Sequence, residues 1–202
     1  RLCYVVGARP NFMKMAPVMA ALRRRLPMAR HCVVHTEQHY DHAMSEVFID
    51  QLSIPEPDHA LGVGSGTHAE QTGRVMERVD AAIGELAPDL VLVFGDTNST
   101  LGAALAAAER GVPLAHVEAG VRTGMMAMAE EQNRVLTDHL SDWCGAPTET
   151  SRANLIAEGI DRDRVEVTGN TVVEAVETLL PDAEARRAIC AQFGLEGRFV
   201  LS

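Results

Sequence analysis

The sequence predicts an α/β fold: a doubly wound parallel sheet with helices on both faces. Three observations carry this. Short apolar runs of β type alternate with longer stretches of helical periodicity, the pattern of parallel strands joined by right-handed crossovers. Leu90 to Phe94 (LVLVF) is apolar at every position, as expected of a strand covered on both faces. The chain is Ala-rich with only 4 % aromatic residues, which favours helices packed on a sheet over an all-β sandwich.

The elements follow in order. Leu2 to Val6 is a strand that ends at Gly7, and Met13 to Leu26 has helical spacing with Met15, Val18, Met19 and Leu22 on one face. Cys32 to Thr36 is a second strand and Asp41 to Leu52 a helix. Ile54 to Gly66, with two Pro and three Gly, reads as a loop. Thr67 to Leu86 is a long amphipathic helix, opened by Thr67 and Glu70 at capping-box spacing. After LVLVF come a helix over Thr97 to Arg110 closed by Gly111, a strand over Pro113 to Val117, a helix over Glu131 to Leu140 and a short strand at Trp143 to Gly145. Thr148 to Gly159 reads as a helix, Arg164 to Val167 as a strand and Thr171 to Leu180 as a helix. A more polar segment then holds a helix-like Asp182 to Phe193 and a strand-like Arg198 to Ser202.

This divides the chain into a domain over 1–168 and a segment over 169–202 that is too short to bury its own core. Lys and Arg total 18 against 28 Asp and Glu, a net charge of −10, which repels a phosphate backbone and argues against nucleic-acid binding. Cys3, Cys32, Cys144 and Cys190 lack zinc-ligand spacing and sit in apolar stretches, so buried free thiols in a reducing compartment are expected. Neither a signal peptide nor an apolar run of membrane length is visible, so no membrane contact and a cytoplasmic location are expected. The chain opens at Arg1 inside a strand pattern and stops at Ser202 after an apolar run, so both ends are expected to be trimmed.

In an open parallel sheet, ligands bind at the carboxyl edge. Three segments fall there. In Gly7-Ala8-Arg9-Pro10, Gly7 permits a sharp turn and Pro10 is expected to delay the helix. Arg9 and Lys14 then bring two cations to a helix N-terminus, a phosphate site in principle or two solvated cations otherwise. In Gly95-Asp96-Thr97-Asn98, Asp96 is either a helix cap or a carboxylate aimed into the cleft. In His116-Val117-Glu118-Ala119-Gly120-Val121-Arg122, Glu118 ends a strand and is either functional or paired with Arg122. Glu130 and Glu131 precede Asn133 and Arg134 at a helix start. Together these place carboxylates and cations on one edge, a pattern suited to binding an anion and moving protons. GxGxxG and the phosphate-loop lysine motif are both missing, which weakens a nicotinamide oxidoreductase or a phosphate-loop NTPase.

The strings GARPNFMKMAPVMAAL, TEQHYDHAM, VLVFGDTNSTLGAALAA, HVEAGVRTG, EEQNRVLTDHLSD, PTETSRANL and VTGNTVVEA resemble, in order over residues 2–176, the bacterial non-hydrolysing UDP-N-acetylglucosamine 2-epimerases. The resemblance implies the N-terminal half of a glycosyltransferase-B-like pair of Rossmann-like domains. It implies inversion at C2 of UDP-N-acetylglucosamine through elimination of UDP to 2-acetamidoglucal, without a metal or nicotinamide cofactor, in a homodimer. It marks Asp96, Glu118 and Glu130 as the acid/base carboxylates, Arg9 and Lys14 as ligands of the nucleotide-sugar, and Gln38 and His39 as cleft residues. Arg122, Glu131, Asn133 and Arg134 are marked as shaping the site.

Two departures stand out. The family usually carries Pro before the Glu-Glu pair, where this chain has Ala129, which frees the loop bearing Glu130. The family's second domain, with its histidine motif and most uridine and diphosphate contacts, has no counterpart here, so the chain alone is not expected to turn over. The alternatives are a hydrolysing epimerase, an epimerase of another UDP-2-acetamido sugar, and a non-catalytic nucleotide-sugar-binding module.

Overall fold

The computed structural model describes residues 1–38, 52 and 54–195. The described residues form a seven-stranded, all-parallel sheet: β1 Leu2–Val6, β2 His31–His35, β3 His59–Ala60, β4 Leu90–Phe94, β5 Leu114–Val117, β6 Trp143–Ala146 and β7 Val165–Val167. The spatial order β3-β2-β1-β4-β5-β6-β7 reverses direction between β1 and β4. The helices are α1 Arg9–Arg25, α2 His68–Leu86, α3 Asn98–Glu109, α4 Ala129–Leu140, α5 Glu149–Ala157, α6 Thr171–Leu179 and α7 Ala183–Gln192. This is the α/β class that the alternating pattern predicts.

Two cores explain why the central strands are apolar at every position. Alternation along β1 sends Cys3 and Val5 to one face, where they meet Val75, Val79 and Ile83 of α2 and Ala103 and Ala107 of α3. It sends Leu2, Tyr4 and Val6 to the other, against Phe12, Met15 and Met19 of α1. A satellite cluster of Cys144, Ala146, Leu155, Ile160 and Val165 lies under α5.

Several boundaries differ from the sequence reading. Helix α1 begins at Arg9, four residues before Met13, and Pro10 lies in its first turn rather than delaying it. The first-turn N–H groups have no intrahelical acceptor, so proline there loses nothing. The loop expected over Ile54 to Gly66 contains β3, two residues long and paired with β2. Helix α4 starts two residues earlier than expected, at Ala129. The Thr67–Glu70 capping box is present: the Thr67 amide donates to Glu70 Oε2 at 3.0 Å, and Thr67 Oγ1 accepts from the Glu70 amide at 3.3 Å. Helix α6 packs on α1 through buried Ala175, whereas α7 buries no residue. The helix expected over Asp41 to Leu52 and the strand over Arg198 to Ser202 fall on segments outside the described residues, save Leu52 itself.

All four cysteines are free. Cys3 and Cys144 are buried, and burial pushes both thiols up to about 12, so they are inert. Cys190 departs from the expected burial and is half-buried on α7. None of the described helices is long and apolar enough to cross a membrane.

Candidate active site

The direction change between β1 and β4 opens a crevice at their carboxyl ends, where open α/β sheets bind ligands. Gly7 lies at the floor of this crevice because α3 packs there. A Cβ on Gly7 would sit 2.0 Å from Ser99 Oγ and 2.6 Å from Thr36 Oγ1. Asn11 ties the two strand ends together. Its Oδ1 accepts from the Gly7 and Ala8 amides at 3.2 and 3.0 Å, and its Nδ2 donates to the Phe94 carbonyl at 2.7 Å. Gly95 turns the chain after β4 with φ 69°, and a Cβ there would lie 2.6 Å from Lys14 Nζ. Buried Lys14 reaches from α1 across Gly95 and forms an ion pair with Glu118 at the end of β5. Glu118 has φ 76°, a left-handed conformation that non-glycine residues hold only where the surroundings enforce it.

Asp96 does not cap α3. Thr97 takes that role, accepting from the Thr100 amide, and the Asp96 carboxylate pairs instead with Arg134 of α4. Asn133 adds bonds to the Asp96 carbonyl at 2.9 Å and to Asn98 Oδ1 at 3.1 Å. Arg134 also binds Glu131 at 2.8 Å. Burial pushes the Glu131 carboxyl up, but Arg134 and the Thr123 and Gly124 amides outweigh this and hold its pKa at about 2. Two carboxylates, Asp96 and Glu118, thus stand on one sheet edge, each held by a cation from a neighbouring helix. Among the described residues, no group of three or more His, Cys, Asp or Glu side chains is placed to hold a metal ion.

A family model described as UDP-N-acetylglucosamine 2-epimerase matches residues 21–202. The chain belongs to this family. A UDP-N-acetylglucosamine 2-epimerase of Methanococcus maripaludis is 41% identical over 186 residues, covering 92% of this chain and 50% of its own length. The UDP-2,3-diacetamido-2,3-dideoxy-D-glucuronate 2-epimerase of Pseudomonas aeruginosa is 44% identical over 167 residues, covering 83% of this chain and 47% of its own. The crystal structure of Methanocaldococcus jannaschii UDP-GlcNAc 2-epimerase in complex with UDP-GlcNAc and UDP superimposes with a TM-score of 0.89 at 40% identity, covering 96% of this chain and 53% of that one. The chain therefore spans about half the length of the epimerases it matches.

Not every residue marked from the sequence joins the cluster of this epimerase-family chain. Arg9, the first residue of α1, is exposed and forms no ion pair with a described residue, and exposed Glu130 in the first turn of α4 likewise has none. Gln38 is buried, and its Oε1 accepts from the Ser99 hydroxyl at 2.7 Å and the Ser99 amide at 3.3 Å. Its oxygen is therefore committed to Ser99, which lies against Gly7 at the floor of the crevice. Arg122 does not pair with Glu118. It turns away to Asp138 at 2.7 Å and Glu158 at 2.6 Å, because buried Asp138 is the stronger claim on a nearby guanidinium. His39 lies outside the described residues.

Sequence reasoning missed Asn11, His116 and Asp138. A signal for Asp138 was present. Along α4, the residues at core spacing are Glu131, Arg134, Thr137 and Asp138, all buried and all polar. A helix that turns a polar stripe inward must be satisfying a polar site.

Proposed function

We propose that this chain is the N-terminal half of a non-hydrolysing UDP-N-acetylglucosamine 2-epimerase, with the sugar ring seated at the β1/β4 crevice. The observation that carries this reading is the pairing of Asp96 with Arg134 and of Glu118 with Lys14 on one sheet edge, within a family that inverts a carbon bearing an acidifiable hydrogen.

In this reading one carboxylate removes the C2 proton. The C2–H electron pair forms the C1=C2 double bond, and the C1–O bond breaks with its electrons leaving on UDP. The second carboxylate, on the other face of the glucal, returns a proton to C2 while a UDP oxygen re-attacks C1. Lys14, Arg134 and exposed Arg9 supply positive charge facing the diphosphate and the departing oxygen. Glu130, carried by the exposed first turn of α4, is the third carboxylate of this proposed set. The second half of the protein supplies most uridine and diphosphate contacts. The whole protein is a cytoplasmic homodimer, and residues 1–168 are the N-terminal domain.

The test is Asp96→Asn in the full-length protein, assayed for UDP-N-acetylmannosamine formation. Turnover should fall by about three orders of magnitude or more while UDP-N-acetylglucosamine still binds. Retained turnover would remove Asp96 from the chemistry, and release of free N-acetylmannosamine would make the enzyme a hydrolysing one. A UDP-2-acetamido uronate processed in preference to UDP-N-acetylglucosamine would move the reading to the substrate class of the Pseudomonas relative.

A further inference from the structure

Behind the carboxylates lies a second group of ionisable side chains that the proposed chemistry does not use. His116 is the centre of β5, fully buried, with Val93 of β4 and Cys144 of β6 as its strand neighbours. Its side chain points to the face covered by α4. Nδ1 lies 2.6 Å from Asp138 Oδ1 and Nε2 lies 2.7 Å from the Gly95 carbonyl oxygen.

This geometry restricts the proton count. A neutral imidazole has one N–H and one bare nitrogen, which must face a donor. The Gly95 carbonyl can only accept, so Nε2 carries a hydrogen. A bare Nδ1 would then face Asp138 Oδ1, which requires Asp138 to be protonated on that oxygen. The surroundings of Asp138 oppose this. Its Oδ2 accepts from the Gly120 amide at 3.1 Å and pairs with Arg122 at 2.7 Å. The amide N–H and the guanidinium both favour the ionised carboxylate, independently of the state of His116.

The other groups facing this centre are consistent. Cys144 directs its thiol to the Asp138 carbonyl at 3.7 Å, and burial keeps that thiol protonated and neutral. Glu158 balances Arg122, and partly exposed His139 approaches Glu158 at 4.0 Å. Arg164, which donates to the Ser141 carbonyl, faces Cys144 from the far side. Around His116, Asp138 and Glu158 bring two negative charges and Arg122 one positive, so a second N–H on His116 offsets the excess of negative charge in this pair of ion pairs.

We propose that His116 donates from both ring nitrogens, Nδ1–H to Asp138 and Nε2–H to the Gly95 carbonyl, and is a positioning residue that locks the Gly95–Asp96 turn. Its Nε2–H holds the Gly95 carbonyl, while Asn133 and Arg134 hold Asp96 from the far side, so α4 and β5 grip one turn from both flanks. The consequence for Asp96 rests on the epimerase reading, whereas the protonation state does not.

The experiment has two arms. Histidine-selective ¹⁵N NMR of this chain should show two protonated ring nitrogens for His116 at about pH 7. A bare ring nitrogen there overturns the proposal. Asp138→Asn keeps the shape and removes the charge, so one His116 nitrogen should become bare at the same pH, and two retained protons would exclude Asp138 as the group that holds them.

The second arm is His116→Gln in the full-length protein. It should lower kcat about 10- to 100-fold with KM within about threefold, because the turn and not the binding surface has moved. An unchanged kcat, or a rise in KM alone, overturns the positioning role. If the unaltered full-length protein fails to epimerise, the epimerase reading falls while the NMR arm still decides the state of His116. If His116→Gln fails to fold, the NMR arm and Asp138→Asn decide the proposal.

Discussion

Glu131 is nearly fully buried, yet it is charged, because three amide contacts and one guanidinium replace the water it has lost. Its folded pKa of about 2 lies below the ordinary value of 4.5, so its contribution to stability is present above about pH 4.5 and drains away as pH falls toward 2. Glu131→Gln should therefore cost about 3 kcal/mol at neutral pH, and the gap to the parent should shrink steadily below about pH 4.5. Denaturant unfolding at stepped pH measures this, and a gap independent of pH would show that the carboxylate is not what holds the Thr123–Gly124 turn. Lys14 is the matching case at the crevice. Lys14→Met keeps the buried stem but leaves Glu118 without its cation, so nucleotide-sugar binding by the full-length protein should weaken at least 10-fold by calorimetry.

Local signals and tertiary ones separate at the level of helices and turns. Thr67 with Glu70 was legible because both partners of the capping box lie within four residues. Thr67→Ala should cost about 1 kcal/mol in thermal or denaturant unfolding, the loss of one cap. Gly7 is different. Its need for hydrogen in place of a side chain comes from Ser99 and Thr36, far away in sequence. Gly7→Ala should cost roughly 1–3 kcal/mol and weaken nucleotide-sugar binding as well, because the displaced turn carries Arg9 and seats α1. A variant with parental stability and affinity would show that the packing of α3 against this turn is slack. The inward polar stripe of α4 lies between these cases. Its spacing was readable, but Arg134 could be assigned to Asp96, and Arg122 to Asp138, only once β5 and α4 were seen against each other.

For the whole molecule, the boundary of the folding unit is the point most open to measurement. Helix α6 seats Ala175 against α1, whereas α7 buries nothing. A chain ending at Leu180 should keep the denaturation midpoint of the 202-residue chain. One ending at Thr168 should lose roughly 1–3 kcal/mol, because the face of α1 that α6 covers returns to water. Equal midpoints for both truncations would place the boundary at residue 168 rather than near 180.

The sequence alone determined the α/β class, because continuous apolar strands and periodic helices report their own burial. Through long ordered motifs it also determined the family. The tertiary structure decided which cation faces which carboxylate. It placed Lys14 on Glu118, drew Arg122 away to Asp138, seated Gln38 on Ser99 and set His116 between an acid and a carbonyl. Ion pairs and hydrogen bonds depend on distances between groups brought together by chain crossovers, and proximity along the chain carries no information about those distances.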